Sequence, residues 1–174
     1  MLYFWKNDSP LPNKLYPILF ALLFLIGGGC TKDDICSETT QTTALLVIEF
    51  KDITDRITDK AVQDLSIQVN DIDSTQVITS VNDVQVIIPL TTEADITSLL
   101  FTLNANSEDN ANIDAVIFNY EREEVYVNRA CSFKMIYNNI VISVEEDSQN
   151  WILDTEVLNP IVENENEVHI TIFH

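Results

Sequence analysis

Cysteine and histidine are the residue types of this 174-residue chain best suited to covalent or metal chemistry. Cys30 follows three consecutive residues that are the only glycines of the chain: Gly27, Gly28 and Gly29. Small residues let an extended backbone enter a peptidase cleft, and the thiol that follows them can accept a diacylglycerol group. The other cysteines and histidines are Cys36, Cys131, His169 and His174.

Residues 1–29 have the pattern of an export signal. Lys6 and Lys14 lead into a run of 12 apolar residues that ends at Ile26. A membrane-spanning helix needs about 20 residues, so this run fits the hydrophobic region of a signal peptide. Together with the glycines it resembles a bacterial lipoprotein signal, which implies cleavage before Cys30 and lipidation of its thiol. The alternatives are an ordinary signal peptide with a cysteine nearby, or an uncut signal anchor.

The residues after Cys30 bear on where the protein is displayed. Lys32, Asp33 and Asp34 follow the cysteine closely, and this order is similar to the surface-export signal of Bacteroidota lipoproteins. The alternative is a charged, solvated tether. We therefore expect a lipid anchor in the outer membrane, with the cell surface favoured over the periplasmic face.

Composition excludes several classes of function. The chain has a formal net charge of −19, and cleavage before Cys30 would leave 7 basic and 27 acidic residues. DNA and RNA are polyanions, so we expect no nucleic-acid partner. With no glycine after Gly29, no P-loop or dinucleotide-binding motif can follow. The hydrophobic fraction of 46% predicts a folded domain.

An exported protein meets an oxidising compartment, where a pair of cysteines is typical of a disulfide. We therefore predict a Cys36–Cys131 bond; the alternative is two free buried thiols. Six residue steps separate Cys30 from Cys36, a reach of at most about 20 Å. A disulfide at Cys36 would hold the domain close to the membrane, which suggests work at the bilayer surface or with a membrane-embedded partner.

No catalytic, cofactor or metal site is predicted. His169 alternates with apolar residues on a predicted strand and is interpreted as structural, and the cysteines and histidines lack zinc-motif spacing. Two ligand-binding hypotheses remain open. One is a calcium loop at Asn110, Asn112, Asp114 and Glu121, although Ala115 stands where the EF-hand loop needs glycine. The other is a glycan groove lined by Tyr120, Tyr126, Phe133, Tyr137 and Trp151, for which the alternative is a sandwich core and its rim.

Short runs rich in β-branched residues, several with a period of two, predict an antiparallel β-sandwich of about 8–10 strands over residues 44–174, after a tether at 30–43. Two-residue hairpin turns are expected at Asn82–Asp83 and Asn138–Asn139. Up to two turns of helix are expected from Ile53 to Leu65. The predicted strands are Leu45–Lys51, Leu65–Val69, Gln76–Ser80, Val84–Leu90, Leu99–Leu103, Ala115–Tyr120, Glu124–Asn128, Cys131–Tyr137, Ile140–Glu145, Trp151–Val157 and Val168–Phe173.

Several short segments together carry a family resemblance: Cys30–Cys36, Ile48–Phe50, Arg129–Phe133, Asn150–Ile152, Glu165 and Val168–Phe173. The chain resembles an uncharacterised Bacteroidota outer-membrane lipoprotein family of unknown function. The resemblance implies a lipid-anchored, disulfide-tied β domain and carries no activity. We expect a non-enzymatic accessory or interaction module with an envelope protein partner; the alternative is a glycan- or calcium-binding surface lipoprotein.

Overall fold

Nine β-strands and no helix make up the regular structure of the described residues, which are 35–37, 40 and 42–174 in this computed structural model. The strands are β1 (Leu46–Lys51), β2 (Val62–Val69), β3 (Gln76–Asp83), β4 (Gln85–Ile88), β5 (Ile96–Leu103), β6 (Asn112–Asn128), β7 (Ser132–Val144), β8 (Asp154–Val157) and β9 (Ile170–Phe173).

The strands form two sheets that pack together as a β-sandwich. The four-stranded sheet has the order β4-β1-β9-β8, and the five-stranded sheet has the order β3-β2-β5-β6-β7. The predicted fold class and strand number are confirmed. One pairing departs from the antiparallel expectation, because β1 and β9 run parallel with Ile48 opposite Ile170.

Alternating side chains of each sheet fill the space between them. On β2, Leu65 and Ile67 are fully buried, and on β5 the same is true of Phe101. Successive side chains of a strand point to opposite faces, so a period of two in the sequence becomes one buried face. Further core residues are Leu46, Ile48, Phe50, Ile88, Leu99, Val116, Phe118, Tyr137, Ile170 and Ile172.

The helix expected within residues 53–65 does not form. Asp52 Oδ1 instead accepts a hydrogen bond from Thr54 N at 2.6 Å and closes a turn. Arg56 in this loop lies 3.8 Å from the ring centroid of Phe173 and pairs with Asp154 at 2.8 Å. The loop covers this part of β9, whose four residues are all buried. Poor intrinsic helix propensity of Ile and Thr left the segment free to follow these tertiary contacts.

Both expected two-residue hairpins are wrong, for different reasons. Asn82 and Asp83 end β3, which pairs with β2, whereas the next strand, β4, belongs to the other sheet. Asn139 lies inside β7 with a φ of 55° at a register irregularity. Four predicted strands therefore merge into two long ones, β6 and β7.

Glycine-free backbone reaches the left-handed region through two kinds of residue. Asn104, Asn139 and Asp64 have positive φ, as expected for residues whose short polar side chains tolerate it. Serine takes the other such positions, at Ser74, Ser80 and Ser132. Asn and Asp thus occupy only half of these positions.

Candidate functional site

The residues predicted to carry processing and export lie outside the described part of the chain. These are Gly27, Gly28, Gly29, Cys30, Lys32, Asp33 and Asp34. The predicted disulfide is confirmed, since Cys36 and Cys131 are disulfide-bonded. Cys131 lies in the turn between β6 and β7, which makes that turn the first candidate site.

Strands β6 and β7 continue past the five-stranded sheet as a two-stranded ribbon. The pairing of β5 with β6 ends at Ile96 and Asn119, but β6 pairs with β7 as far as Asn128 and Ser132. Asn128 Oδ1 accepts hydrogen bonds from the backbone N–H groups of Ala130 and Cys131, at 2.9 and 2.8 Å. This Asx turn closes the ribbon at the disulfide. We call residues 125–134 the ribbon tip.

An exposed aromatic pair marks the ribbon tip. Tyr126 and Phe133 are direct cross-strand partners, and their rings meet edge to face with centroids 5.4 Å apart. They remain 60% and 59% exposed. Met135 and Tyr137 continue the same face of the ribbon into the core, where both are buried. The apolar stripe of β7 therefore runs out of the sandwich and ends in solvent.

Charge is distributed unevenly around the ribbon tip. No acidic residue occurs between Glu124 and Glu145, although the chain contains 28. Arg129 is exposed in the turn, and within the described residues it makes no ion pair. Lys134 is half-buried, and its ammonium donates to Glu163 O at 3.4 Å. This local reversal of charge was readable from the sequence and was missed there.

The outer face of the five-stranded sheet is a second candidate surface. Its positions on β5, β6 and β7 alternate with core residues such as Leu99, Phe101 and Phe118. Ile96, Ile113 and Val141 are 48%, 51% and 57% exposed. We call this surface the neutral face, because none of its residues is charged: Ile96, Ser98, Leu100, Thr102, Ile113, Ala115, Ile117, Asn119, Val141 and Ser143.

The proposed glycan groove is not assembled. Tyr120, Tyr137 and Trp151 are buried in the core, whereas Tyr126 and Phe133 lie exposed at the ribbon tip. Trp151 Nε1 donates to Phe101 O at 3.2 Å, which satisfies the indole inside the sandwich. Three of the five aromatic residues therefore belong to the sandwich core, as the alternative interpretation predicts.

Both histidines are bonded within the fold. His169 is 1% exposed, and its Nδ1 accepts a hydrogen bond from Val47 N at 3.0 Å. His174 Nε2 lies 3.1 Å from Lys60 O, and its ring meets those of Phe50 and Trp151 edge to face. Burial lowers the pKa of both imidazoles. The interpretation of His169 as structural agrees with this geometry.

The suggested calcium ligands are not gathered. Asp114 lies on β6 facing the core, and Glu121 lies seven residues further along the same strand. At a rise of about 3.4 Å per residue, that separation is more than 20 Å. Within the described ranges, no three carboxylate, imidazole or thiol groups are close enough together to hold a metal ion.

Asp114 is nevertheless unusual. It is 1% exposed, Oδ2 accepts from Ile152 N at 2.8 Å, and Oδ1 is the one buried side-chain polar atom of the described residues that lacks a partner. Burial raises the pKa of this carboxyl, which the Ile152 N–H opposes. Ile152 also lines a cleft of about 550 Å³ that includes Asp147, Asn150 and Asp154. The lining of that cleft carries three carboxylates, Glu146, Asp147 and Asp154, and the Asn150 amide, and Asp114 is linked to it through the Ile152 N–H.

Comparison with known proteins gives one family. A family model described as a family of unknown function (DUF6452) matches residues 64–174, from β2 to the end of the chain. The expected membership of a family of unknown function is therefore confirmed at that level. No curated protein and no solved structure matches the chain significantly. Among the residues that the structure describes, no helix is long and apolar enough to cross a membrane.

Proposed function

We propose that this chain, which belongs to the DUF6452 family of unknown function, is an outer-membrane lipoprotein of Bacteroidota that serves as a non-enzymatic accessory or interaction module. The observation that carries the interaction role is the neutral face. It is an uncharged, partly apolar sheet surface on a chain of net charge −19.

The neutral face has the composition expected at the centre of a protein–protein interface. Acidic side chains elsewhere keep the protein soluble and repel other acidic proteins. Charged residues are depleted at the centre of protein–protein interfaces, and exposed apolar patches mark interaction sites. Ile113, Ile117 and Val141 supply the apolar area, while Ser98 and Ser143 supply hydroxyl groups for hydrogen bonds. The partner this face fits is a protein with an uncharged surface of its own.

The residues on both sides of Cys30 support a lipid anchor. Three glycines precede Cys30 after a short apolar run, an order that resembles a lipoprotein processing site. The Cys36–Cys131 disulfide is consistent with an oxidising compartment. Lys32, Asp33 and Asp34 support export to the cell surface over retention at the periplasmic face.

The anchor is tested on the full chain expressed in its own cell type. We expect the N-terminal peptide to begin at a diacylated Cys30 and the protein to fractionate with the outer membrane. A Cys30→Ala variant should lose both properties. Protease added to intact cells should degrade the wild-type domain. An unmodified N-terminus in a soluble fraction would refute the anchor, and complete protease protection would refute surface display.

The interaction role is tested by photo-crosslinking in intact cells. A photoreactive amino acid replaces Ile113 on the neutral face, and the matched control replaces Ile72, which is 99% exposed in the β2–β3 loop. We expect a discrete crosslinked envelope protein from position 113 and none from position 72. Absence of crosslinks at position 113, with the protein monomeric in detergent extracts, would overturn the interaction role.

A further inference from the structure

We propose that the ribbon tip, residues 125–134, docks on a lipid surface rich in phosphate headgroups. In this arrangement Tyr126 and Phe133 lie at the headgroup level, and the Arg129 guanidinium pairs with phosphate. The inference rests on the proposed lipid anchor and adds to it a second contact, which fixes how the domain is oriented on the membrane.

The aromatic pair has the chemistry of an interfacial anchor. Tyrosine and other amphipathic aromatic residues are enriched at the bilayer–water interface, because the ring is apolar and its polar group stays hydrated. Tyr126 and Phe133 face the same side of the ribbon and are each more than half exposed. Their rings contact each other, so the pair presents one combined apolar surface beyond the sandwich.

Charge favours a phosphate-bearing surface. A chain of net charge −19 is repelled by anionic headgroups over most of its area. The segment from Val125 to Val144 contains no acid, and its exposed cation is Arg129. Arginine binds phosphate through paired N–H groups of its guanidinium. Arg129 is exposed in the Asx turn, so its guanidinium is accessible to a phosphate. The ribbon tip is thus the part of the protein that an anionic lipid surface attracts.

The acidic residues limit the depth of contact. Glu123 and Glu124 on β6 are exposed immediately before the tip, and carboxylates remain in water because burying a charge is costly. The contact therefore involves the tip alone, in the manner of an interfacial anchor whose apolar groups reach about 5–10 Å into the headgroup boundary.

The covalent path brings the tip within range of the anchor. Cys131, inside the tip, is bonded to Cys36, and Cys36 follows Cys30 by six residue steps. Those steps span at most about 20 Å. A lipid on Cys30 therefore keeps a membrane within reach of Tyr126 and Phe133, so that even a weak tip contact is held at high effective concentration.

The test places tryptophan at the tip and measures quenching by brominated lipid. Full-chain protein carrying Phe133→Trp is purified from cells and reconstituted in vesicles of phosphatidylethanolamine and phosphatidylglycerol with brominated acyl chains. The matched control is Ile113→Trp on the same strand pair, with similar exposure and far from the tip. Wild-type emission is subtracted from both, and circular dichroism melting checks that each variant folds.

We expect loss of most of the added emission for Phe133→Trp and little loss for Ile113→Trp. Adding Arg129→Glu to Phe133→Trp should restore much of the emission. Equal quenching at both positions, or unquenched Phe133→Trp on vesicles that carry the lipidated protein, would overturn the docking and leave the anchor intact.

The mass of the N-terminal peptide is measured in the same sample by mass spectrometry. If it lacks lipid, the anchor fails separately, and quenching of Phe133→Trp at excess vesicles still decides whether the tip binds lipid. A crosslink from position 133 to a protein, with no quenching, would assign the tip to a protein partner and refute the proposal.

Discussion

Tyr120 and Tyr137 pack edge to face in the core, with ring centroids 4.9 Å apart and planes inclined by 74°. Their hydroxyl groups donate to adjacent carbonyl oxygens, Tyr120 to Thr91 at 3.0 Å and Tyr137 to Leu90 at 3.1 Å. Residues 90 and 91 belong to the connection that carries the chain from β4 in one sheet to β5 in the other. The two tyrosine hydroxyls therefore hydrogen-bond the base of the ribbon to this crossover connection.

Replacing Tyr137 with phenylalanine tests this hydrogen bonding. Loss of the hydrogen bond to Leu90 O should lower the free energy of unfolding at pH 7 by about 1 kcal/mol. Burial raises the pKa of the Tyr137 phenol to about 12. Between pH 10 and 12 the unfolded phenol ionises while the folded one stays protonated, so wild-type stability should fall with rising pH. The decrease in the free energy of unfolding that this phenol causes, up to about 3 kcal/mol, should be absent in Tyr137→Phe.

Urea denaturation at pH 7, 10 and 11.5 measures both effects. The matched control is Tyr126→Phe, which removes an exposed phenol at the ribbon tip. An identical alkaline profile for wild type and Tyr137→Phe would contradict the expectation.

Removing the disulfide should destabilise the domain. Cys36 and Cys131 close a loop of 95 residue steps, for which the chain-entropy model gives about 4–5 kcal/mol. We expect Cys131→Ser to lower the free energy of unfolding by that order, as measured in guanidinium chloride. Cys36→Ser should give the same loss, and the double variant should lose no more. Additive losses would show that the thiols contribute separately.

Asp114 should make the protein more stable in mild acid. Its carboxyl has a raised folded-state pKa, first because of burial, so it takes up a proton at a higher pH than it does in the unfolded chain. Stability from this group rises as the pH falls from 7 and is complete below the unfolded value of about 3.9. Asp114→Asn should lack this rise. Thermal melts at pH 7, 6, 5 and 4 measure the effect, with Asp73→Asn in an exposed loop as control.

His169, in contrast to Asp114, should make the protein less stable as the pH falls. Burial lowers the pKa of its imidazole, and the neutral Nδ1 is needed to accept the Val47 N–H. Below about pH 6.5 the unfolded histidine gains a proton that the folded one does not, so this contribution is lost as the pH falls. His169→Ala should cost about 2 kcal/mol or more at pH 7, because it leaves a buried N–H without this acceptor.

The pH profile of His169→Ala between 7 and 5 should rise relative to that of wild type, whereas the profile of Asp114→Asn should decline relative to it. Paired chemical denaturation at each pH resolves the two. Parallel profiles for His169→Ala and wild type would show that the imidazole titrates alike in both states.

Strand content and the buried faces of β2 and β4 were predictable from the residues alone. Leu65, Ile67 and Val69 on β2 and Val86 and Ile88 on β4 alternate in the sequence and point inward in the fold. Alternation is a local property, set by the pleat of the backbone, so short segments reveal it without knowledge of their partners. The disulfide was also predictable, because few chemical options exist for two thiols in a chain whose sequence predicts export.

Partners, register and strand length needed the whole fold. Nothing near Ile48 in the sequence says that it lies beside Ile170, because that pairing joins segments 122 residues apart. Asn138 and Asn139 read locally as a turn, but Tyr137 and Ile140 on either side are both buried, and the chain continues through them as β7 with a bulge. Segment 53–61 is not helical for the same reason. Its contacts with Phe173 stabilise the loop more than a short helix of residues with low helix propensity would be stabilised.

The candidate surfaces divide in the same way. An acid-free stretch from 125 to 144 is visible in the sequence, and so are the two aromatic residues within it. That Tyr126 and Phe133 stand exposed while Tyr120 and Tyr137 are buried depends on where β5 stops pairing with β6. Exposure of a side chain is a property of its neighbours in space, and sequence periodicity assigns a face without saying whether another layer covers it.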